Sequence, residues 1–248
     1  MLSVEGLIKS YRRGEPAVRD LSFTVPAGAI VSLLGHNGAG KTTTLKVIAG
    51  VLAPSAGTVM VEGKRLDARA NDLHRECRRR IGFLPEDGYL LDYMTPREFL
   101  WYVGQLYGIE DEDALQARIT SLVGAFAVER AESCYLKELS AGQRRRVSIV
   151  AALLNEPRLL LLDEPTNFLD PIGVRILKEY LLATRAKGGA ALLATHRLDV
   201  AEQLSDAVIV LDHGRTVFQG TIRDLSEHLG PRVEGRSLEE LYTALVGN

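Results

Sequence analysis

Short apolar runs alternate with segments of helical period along most of this chain. Ala29–Leu34, Val59–Val61, Leu159–Leu162, Ala190–Ala194 and Ala207–Leu211 read as strands, and most are followed by a stretch whose apolar residues recur at helical spacing. Strands that alternate with helices predict an α/β fold on a largely parallel sheet. The N-terminal stretch departs from this. Leu2–Ile8 and Leu21–Val25 are strand-like with no helix between them long enough for a crossover, and Gly57–Gly63 adds another such run, so an antiparallel flank is expected there.

Between about residues 92 and 156 the strand signals stop, and helical period takes over at Pro96–Tyr107, Ala114–Phe126 and Ser140–Leu154. This segment reads as a helical insertion in the α/β body, which resumes after Pro157 ends the preceding helix. Past Gly220, two amphipathic patterns, Ile222–Leu229 and Leu238–Val246, are separated by Gly230-Pro231 and Gly235. The expected organisation is one domain over 1–220, made of 1–91 and 157–220 around a helical part at about 92–156, followed by a small helical tail at 221–248.

Composition narrows the class. With 46% hydrophobic and 25% charged residues and a net charge of −2, the chain is neither disordered nor fibrous. Cys77 and Cys134 stand far apart with no partner at ligand spacing, which fits a reducing cytoplasm and suggests neither disulfide nor zinc. No uncharged run approaches the ~20 residues that cross a bilayer, so at a membrane another protein would do the spanning. The near-neutral charge gives no general case for wrapping nucleic acid, and none is expected as a partner.

Chemistry enters with Gly35-His36-Asn37-Gly38-Ala39-Gly40-Lys41-Thr42, a phosphate-binding loop pattern placed between a predicted strand and a predicted helix. Backbone amides uncrowded by side chains can wrap phosphates there, with Lys41 set to pair with the β- and γ-phosphates and Thr42 to bind Mg²⁺. Leu159-Leu160-Leu161-Leu162-Asp163-Glu164 puts two carboxylates at the end of an apolar strand, where open α/β sheets bind ligands. Asp163 suits Mg²⁺, and Glu164 suits polarising an attacking water. Ser140 is a good N-cap for the helix that Leu139-Ser140-Ala141-Gly142-Gln143 opens, and amides near Gly142 make a second anion-binding helix start.

The combination resembles the ATP-binding cassette (ABC) ATPases, the nucleotide-binding subunits of ABC transporters; Leu139–Gln143 is similar to their signature, which other P-loop families lack. The resemblance runs from Tyr11 to about Gly220. It implies a P-loop NTPase (RecA-like) α/β core with an antiparallel β flank and an inserted α-helical subdomain. It also implies ATP and Mg²⁺ as ligands, head-to-tail pairing with a second cassette, and a separate membrane permease as partner, with this subunit peripheral on the cytoplasmic face. In the pair, the signature residues Ser140, Ala141, Gly142 and Gln143 would close on the nucleotide held by the neighbour's loop, residues Gly35 to Thr43 inclusive of Thr43. Tyr11 lies where the family stacks an aromatic on adenine, His196 matches its switch histidine, and Asp170 occupies a loop that crosses the interface. Glu164, His196 and Lys41 would serve catalysis, and Thr42, Glu86 and Asp163 the metal.

Two positions depart from the family pattern. Glu86 stands where Gln is usual, adding a negative charge near the polyphosphate, and Ala141 replaces a commoner Gly. Leu84-Pro85-Glu86-Asp87, Met94–Phe99 and Leu238-Glu239-Glu240-Leu241 are similar to cassettes that serve exporters. The rival functions are a soluble ABC ATPase acting on ribosomes or nucleic acid, and a non-hydrolysing assembly module. The runs Arg75, Arg78, Arg79, Arg80 and Arg144, Arg145, Arg146 read as solvated faces, with acidic permease loops or lipid headgroups as the alternative contacts.

Overall fold

Strand burial follows the apolar runs. A computed structural model describes residues 1–11, 14–66, 72–129, 133–230 and 235–247, with the backbone alone for 72–75; Pro231 and the side chain of Arg75 lie outside the described residues. Among these, β3 (Ile30–Leu34), β7 (Leu159–Asp163) and β8 (Ala190–Thr195) are buried along their whole length, as strands covered on both faces must be. With β6 (Ile81–Leu84), β9 (Ala207–Asp212) and β10 (Arg215–Gly220) they form a six-stranded sheet in the order β10-β9-β3-β8-β7-β6. All neighbours are parallel except β10, which pairs antiparallel with β9 at the edge. The antiparallel flank is a four-stranded sheet, β2 (Val18–Val25), β1 (Leu2–Lys9), β4 (Ala56–Val61) and β5 (Lys64–Arg65) in that order.

β7 sorts the core by its alternation. Leu160 and Leu162 pack with Leu100 of α3 (Pro96–Tyr107), Ile119 of α4 (Glu112–Ala125) and Val147 of α5 (Ala141–Leu153). Leu159 and Leu161 pack toward the flank with Leu7, Leu21 and Leu45. Each of these leucines is fully buried and contributes roughly 1.5–3 kcal/mol relative to exposure. The remaining α-helices among the described residues are α1 (Lys41–Ile48), α2 (Asp72–Arg79), α6 (Pro171–Ala186), α7 (Leu198–Leu204), α8 (Ile222–Leu229) and α9 (Leu238–Val246). Leu225, Leu238 and Leu241 of the last two seat on Leu34, Val208 and Val210 of the central sheet.

Register brings the chemistry together. Leu34 lies opposite Thr195, and Asp163 opposite Ala194, so the loop after β3, the carboxylates ending β7 and the Thr195-His196 corner after β8 emerge at one edge. β6 ends level with β7, Leu84 facing Leu162, which delivers Glu86 to the same place.

Candidate functional site

The phosphate loop is shaped by the absence of side chains. A Cβ on Gly35 would stand 2.7 Å from the Leu211 carbonyl oxygen and 2.8 Å from Ala39 Cβ, and one on Gly40 would stand 2.6 Å from the Ala17 carbonyl oxygen. Gly40 also takes a φ of 101°, with no side-chain cap on α1, so the first amides of that helix are left for a ligand. Lys41 Nζ folds back onto the carbonyls of Gly35 (2.7 Å) and His36 (3.2 Å). Burial lowers its pKa, opposed by Glu164, Asp163 and Glu86. A recess of about 490 Å³ opens here, lined by Asn37, Gly38 and the stretch from Gly40 to Thr43 together with Ala17, Glu86 and Glu164. At its margin the Tyr11 hydroxyl and Thr43 Oγ1 share a 2.9 Å hydrogen bond, and Tyr11 is 60% exposed.

The two carboxylates differ in their surroundings. Glu164 Oε1 accepts from the His196 backbone N–H at 3.0 Å and meets Nδ1 of the same residue at 2.7 Å, and Oε2 accepts from the Thr195 hydroxyl at 3.0 Å. A carboxylate only accepts, so His196 donates through Nδ1–H and leaves Nε2 for a ligand. Both oxygens of Asp163 are buried, with no hydrogen-bond partner among the described residues. Burial pushes the Asp163 pKa up to about 6, with Glu86 and Glu164 adding to the rise and the nearby Thr42 hydroxyl and Lys41 opposing it.

An orphaned buried carboxylate between a P-loop threonine and a second carboxylate is the donor set a hard dication takes, so Thr42, Asp163 and Glu86 fit Mg²⁺. The same orphaning gives a test. With a folded pKa near 6 against an ordinary 3.8, the ionised Asp163 of the nucleotide-free protein destabilises the fold by on the order of 3 kcal/mol above about pH 6, and this cost fades toward about pH 4. Asp163→Asn is therefore expected to melt higher than wild type at neutral pH without nucleotide, to converge with it as the pH falls through that window, and to lose Mg²⁺-dependent turnover. A variant that melts lower at neutral pH would remove the unpaired charge from the argument.

Ser140 forms a reciprocal capping box with Gln143, its Oγ accepting from the Gln143 amide at 3.3 Å while Gln143 Oε1 accepts from the Ser140 amide at 2.9 Å. The amides of Ala141 and Gly142 lie between them. Gly142 sits beneath the Phe168 carbonyl, 2.9 Å from where a Cβ would be. None of these residues lines the recess at the P-loop: one chain holds two phosphate-type helix starts and does not bring them together. Asp170 caps α6 through the Gly173 amide (2.8 Å) and pairs with Arg146 at 2.7 Å.

The run Arg144–Arg146 is not a solvated face. Arg144 donates to Asp92 (3.0 Å) and the Leu136 carbonyl (2.7 Å), and Arg146 to the Phe126 carbonyl (3.0 Å) as well as Asp170. Arg145, 3% exposed, donates to the carbonyls of Pro85 (2.7 Å), Glu86 (3.1 Å), Asp163 (2.6 Å) and Glu164 (2.6 Å). Its burial lowers its pKa to about 10. In the other run, Arg78 bonds the Gly50 carbonyl and Arg80 pairs with Glu62 and Glu76. Sequence reasoning missed Arg145, because charges in a row signal solvent, and the Thr195 hydroxyl, whose signal was a polar residue closing an otherwise apolar strand.

The chain matches the family model described as ABC transporter over residues 18–167. It is 38% identical to the Nod factor export ATP-binding protein I of Ralstonia nicotianae, over 92% of this chain and 69% of that one. It is 37% identical to the daunorubicin/doxorubicin resistance ATP-binding protein DrrA of Streptomyces peucetius, over 94% and 68%. Among solved structures, an ATP-binding subunit of an ABC transporter superposes with a TM-score of 0.89 at 35% identity, over 99% of both chains. A dimeric ATP-binding cassette in a post-hydrolysis state with ADP and Pi superposes at 0.79 and 26% identity, over 90% of this chain and 99% of that one.

Proposed function

This chain belongs to the ABC transporter family, and from that premise we infer that it is the ATP-hydrolysing motor subunit of an exporter, working as a head-to-tail pair beneath a separate membrane permease. One observation carries the pairing: the helix start at Ser140 and the recess at Lys41 are both built for phosphate, yet lie apart in the chain. A second cassette turned about a two-fold axis supplies each recess with the other's signature. Export is supported by the relative named for it, the Nod factor export protein, and a relative named for drug resistance agrees with it. Among the described residues no helix is long and apolar enough to cross a membrane; a separate permease, with this subunit on its cytoplasmic face, belongs to the same reading.

Within the site, the P-loop amides and Lys41 bind and orient the triphosphate, and Tyr11 offers its exposed ring to the adenine. Mg²⁺, held by Thr42, Asp163 and Glu86, would neutralise phosphate charge. Glu164 accepts the proton of the attacking water, and His196, fixed by Glu164 and Thr195, presents Nε2 to the γ-phosphate. Closure of two cassettes on ATP is the working stroke, and loss of phosphate releases the signature helix. An apolar recess lined by Val51, Phe83, Tyr89, Leu90, Phe99 and Val103, with Tyr89 69% exposed, offers the permease a seat, as exposed apolar patches commonly do for partners.

Ser140→Arg tests the pairing. It places a long cation at the trans contact while leaving the P-loop of its own chain intact. Nucleotide binding by the monomer should be unchanged, and the ATP-dependent dimer peak in size-exclusion chromatography should disappear. A dimer peak of full height would refute the head-to-tail arrangement.

A further inference from the structure

On the outer side of the phosphate loop three donors converge that ATP hydrolysis does not use. His36 Nε2 lies 3.3 Å from Asp212 Oδ1, and His213 Nε2 lies 3.9 Å from the same oxygen. One ligand atom from each of the three falls within 4.8 Å of the others, and the two imidazoles meet edge to face with centroids 5.2 Å apart.

The tautomer gives this cluster its meaning. His36 Nδ1 is 2.8 Å from the Asn37 carbonyl oxygen, which only accepts, so the ring proton sits on Nδ1. Nε2 then faces a carboxylate oxygen at 3.3 Å, a contact made favourable by a cation between them, either a proton or a metal ion. An imidazole whose other nitrogen is tied to a carbonyl is the usual state of a metal-ligating histidine. His213 supplies a third donor on the same point, more than a shared proton needs.

The backbone carries His213 there against its preference. Asp212 pairs with Arg215, so His213-Gly214 is a two-residue hairpin turn with φ values of 44° and 79°, a geometry that favours Asn-Gly. The same turn already touches the phosphate loop, the Gly214 amide donating to the Ala39 carbonyl at 3.1 Å.

We propose that His36, Asp212 and His213 form a binding site for a transition-metal dication of the Zn²⁺, Co²⁺ or Ni²⁺ class, which ties the phosphate loop to the turn between β9 and β10. Two imidazoles and a carboxylate suit these borderline ions, and Mg²⁺ and Ca²⁺ prefer all-oxygen sets. All three side chains reach solvent, so water completes the coordination. The site is separate from the Mg²⁺ donors Thr42, Glu86 and Asp163, and its failure would leave the motor reading intact.

The test is a Co²⁺ titration of tag-free full-length protein, followed by the visible ligand-field bands, with Zn²⁺ as competitor. Wild type should bind one Co²⁺, show a raised melting temperature with it, yield it to Zn²⁺, and keep it in a large excess of Mg²⁺. His213→Asn, which the turn geometry welcomes, should fold and hydrolyse ATP as wild type does but bind Co²⁺ at least about tenfold more weakly, and Asp212→Asn should lose the bands. Absence of bands in wild type, displacement by Mg²⁺, or unchanged binding in His213→Asn, which would place the ion elsewhere, would each overturn the proposal.

Discussion

A Glu164→Gln chain is expected to hold ATP, hydrolyse it about a hundred to ten thousand times more slowly than wild type, and accumulate as an ATP-bound dimer. The local structure makes this substitution conservative in shape. Glu164 Oε1 accepts from two donors of His196, and Oε2 accepts from the Thr195 hydroxyl. A glutamine carbonyl can take both His196 donors, and its amide can give a hydrogen bond to Thr195 Oγ1, an oxygen that also accepts from the Arg197 amide at 3.0 Å. Geometry is kept and the proton acceptor is lost. Phosphate release under single turnover reads the chemical step, and size-exclusion chromatography with ATP reads the dimer. Hydrolysis at the wild-type rate would strip Glu164 of its role as the base.

The second large effect is on stability. Arg145→Met should cost about 3–5 kcal/mol, because several buried carbonyls lose their donor at about 1–3 kcal/mol each, and lower the melting temperature by on the order of 10 °C for a chain of this size. Methionine matches the stem of arginine but leaves the carbonyls of Pro85, Glu86, Asp163 and Glu164 without the donor they share. Arg145→Lys keeps the charge and can reach only part of that set, so it should fall between the two. Because these carbonyls belong to the segments that carry Glu86, Asp163 and Glu164 to the site, turnover should fall along with stability. Thermal melting within a degree or two of wild type for Arg145→Met would show that water replaces the guanidinium.

Legibility in the sequence depended on whether the signal was local. The helix over Pro96–Tyr107 was readable to its ends: Thr95 caps it, Pro96 takes the first position, Glu98 completes the capping box, and Gly108 closes it with a φ of 73°. The strands β3, β7 and β8 were readable because burial on both faces demands nearly continuous apolar runs. β10 was not, since Arg215–Gly220 is an edge strand with no apolar run of its own, defined by pairing with β9. α2 and the short α7 were missed for a related reason, as their sequences carry charge at most positions or too few turns to show a period. Of the site, the P-loop and the acidic pair announced themselves, because phosphate chemistry restricts residue type at fixed spacing. Arg145 did not. Only tertiary structure decides whether an arginine in a basic run faces water or four carbonyls.

The bonds from Lys41 Nζ to the Gly35 and His36 carbonyls also bear on how fast and how tightly nucleotide is taken up. In the proposed role the loop is braced by the same ammonium that would meet phosphate oxygens, so a triphosphate would exchange one oxygen set for another and order little backbone. Little conformational entropy is then charged against binding. Affinity in such a cradle depends on charge matching rather than on loop folding, and should fall with added salt more than with added viscosity or crowding.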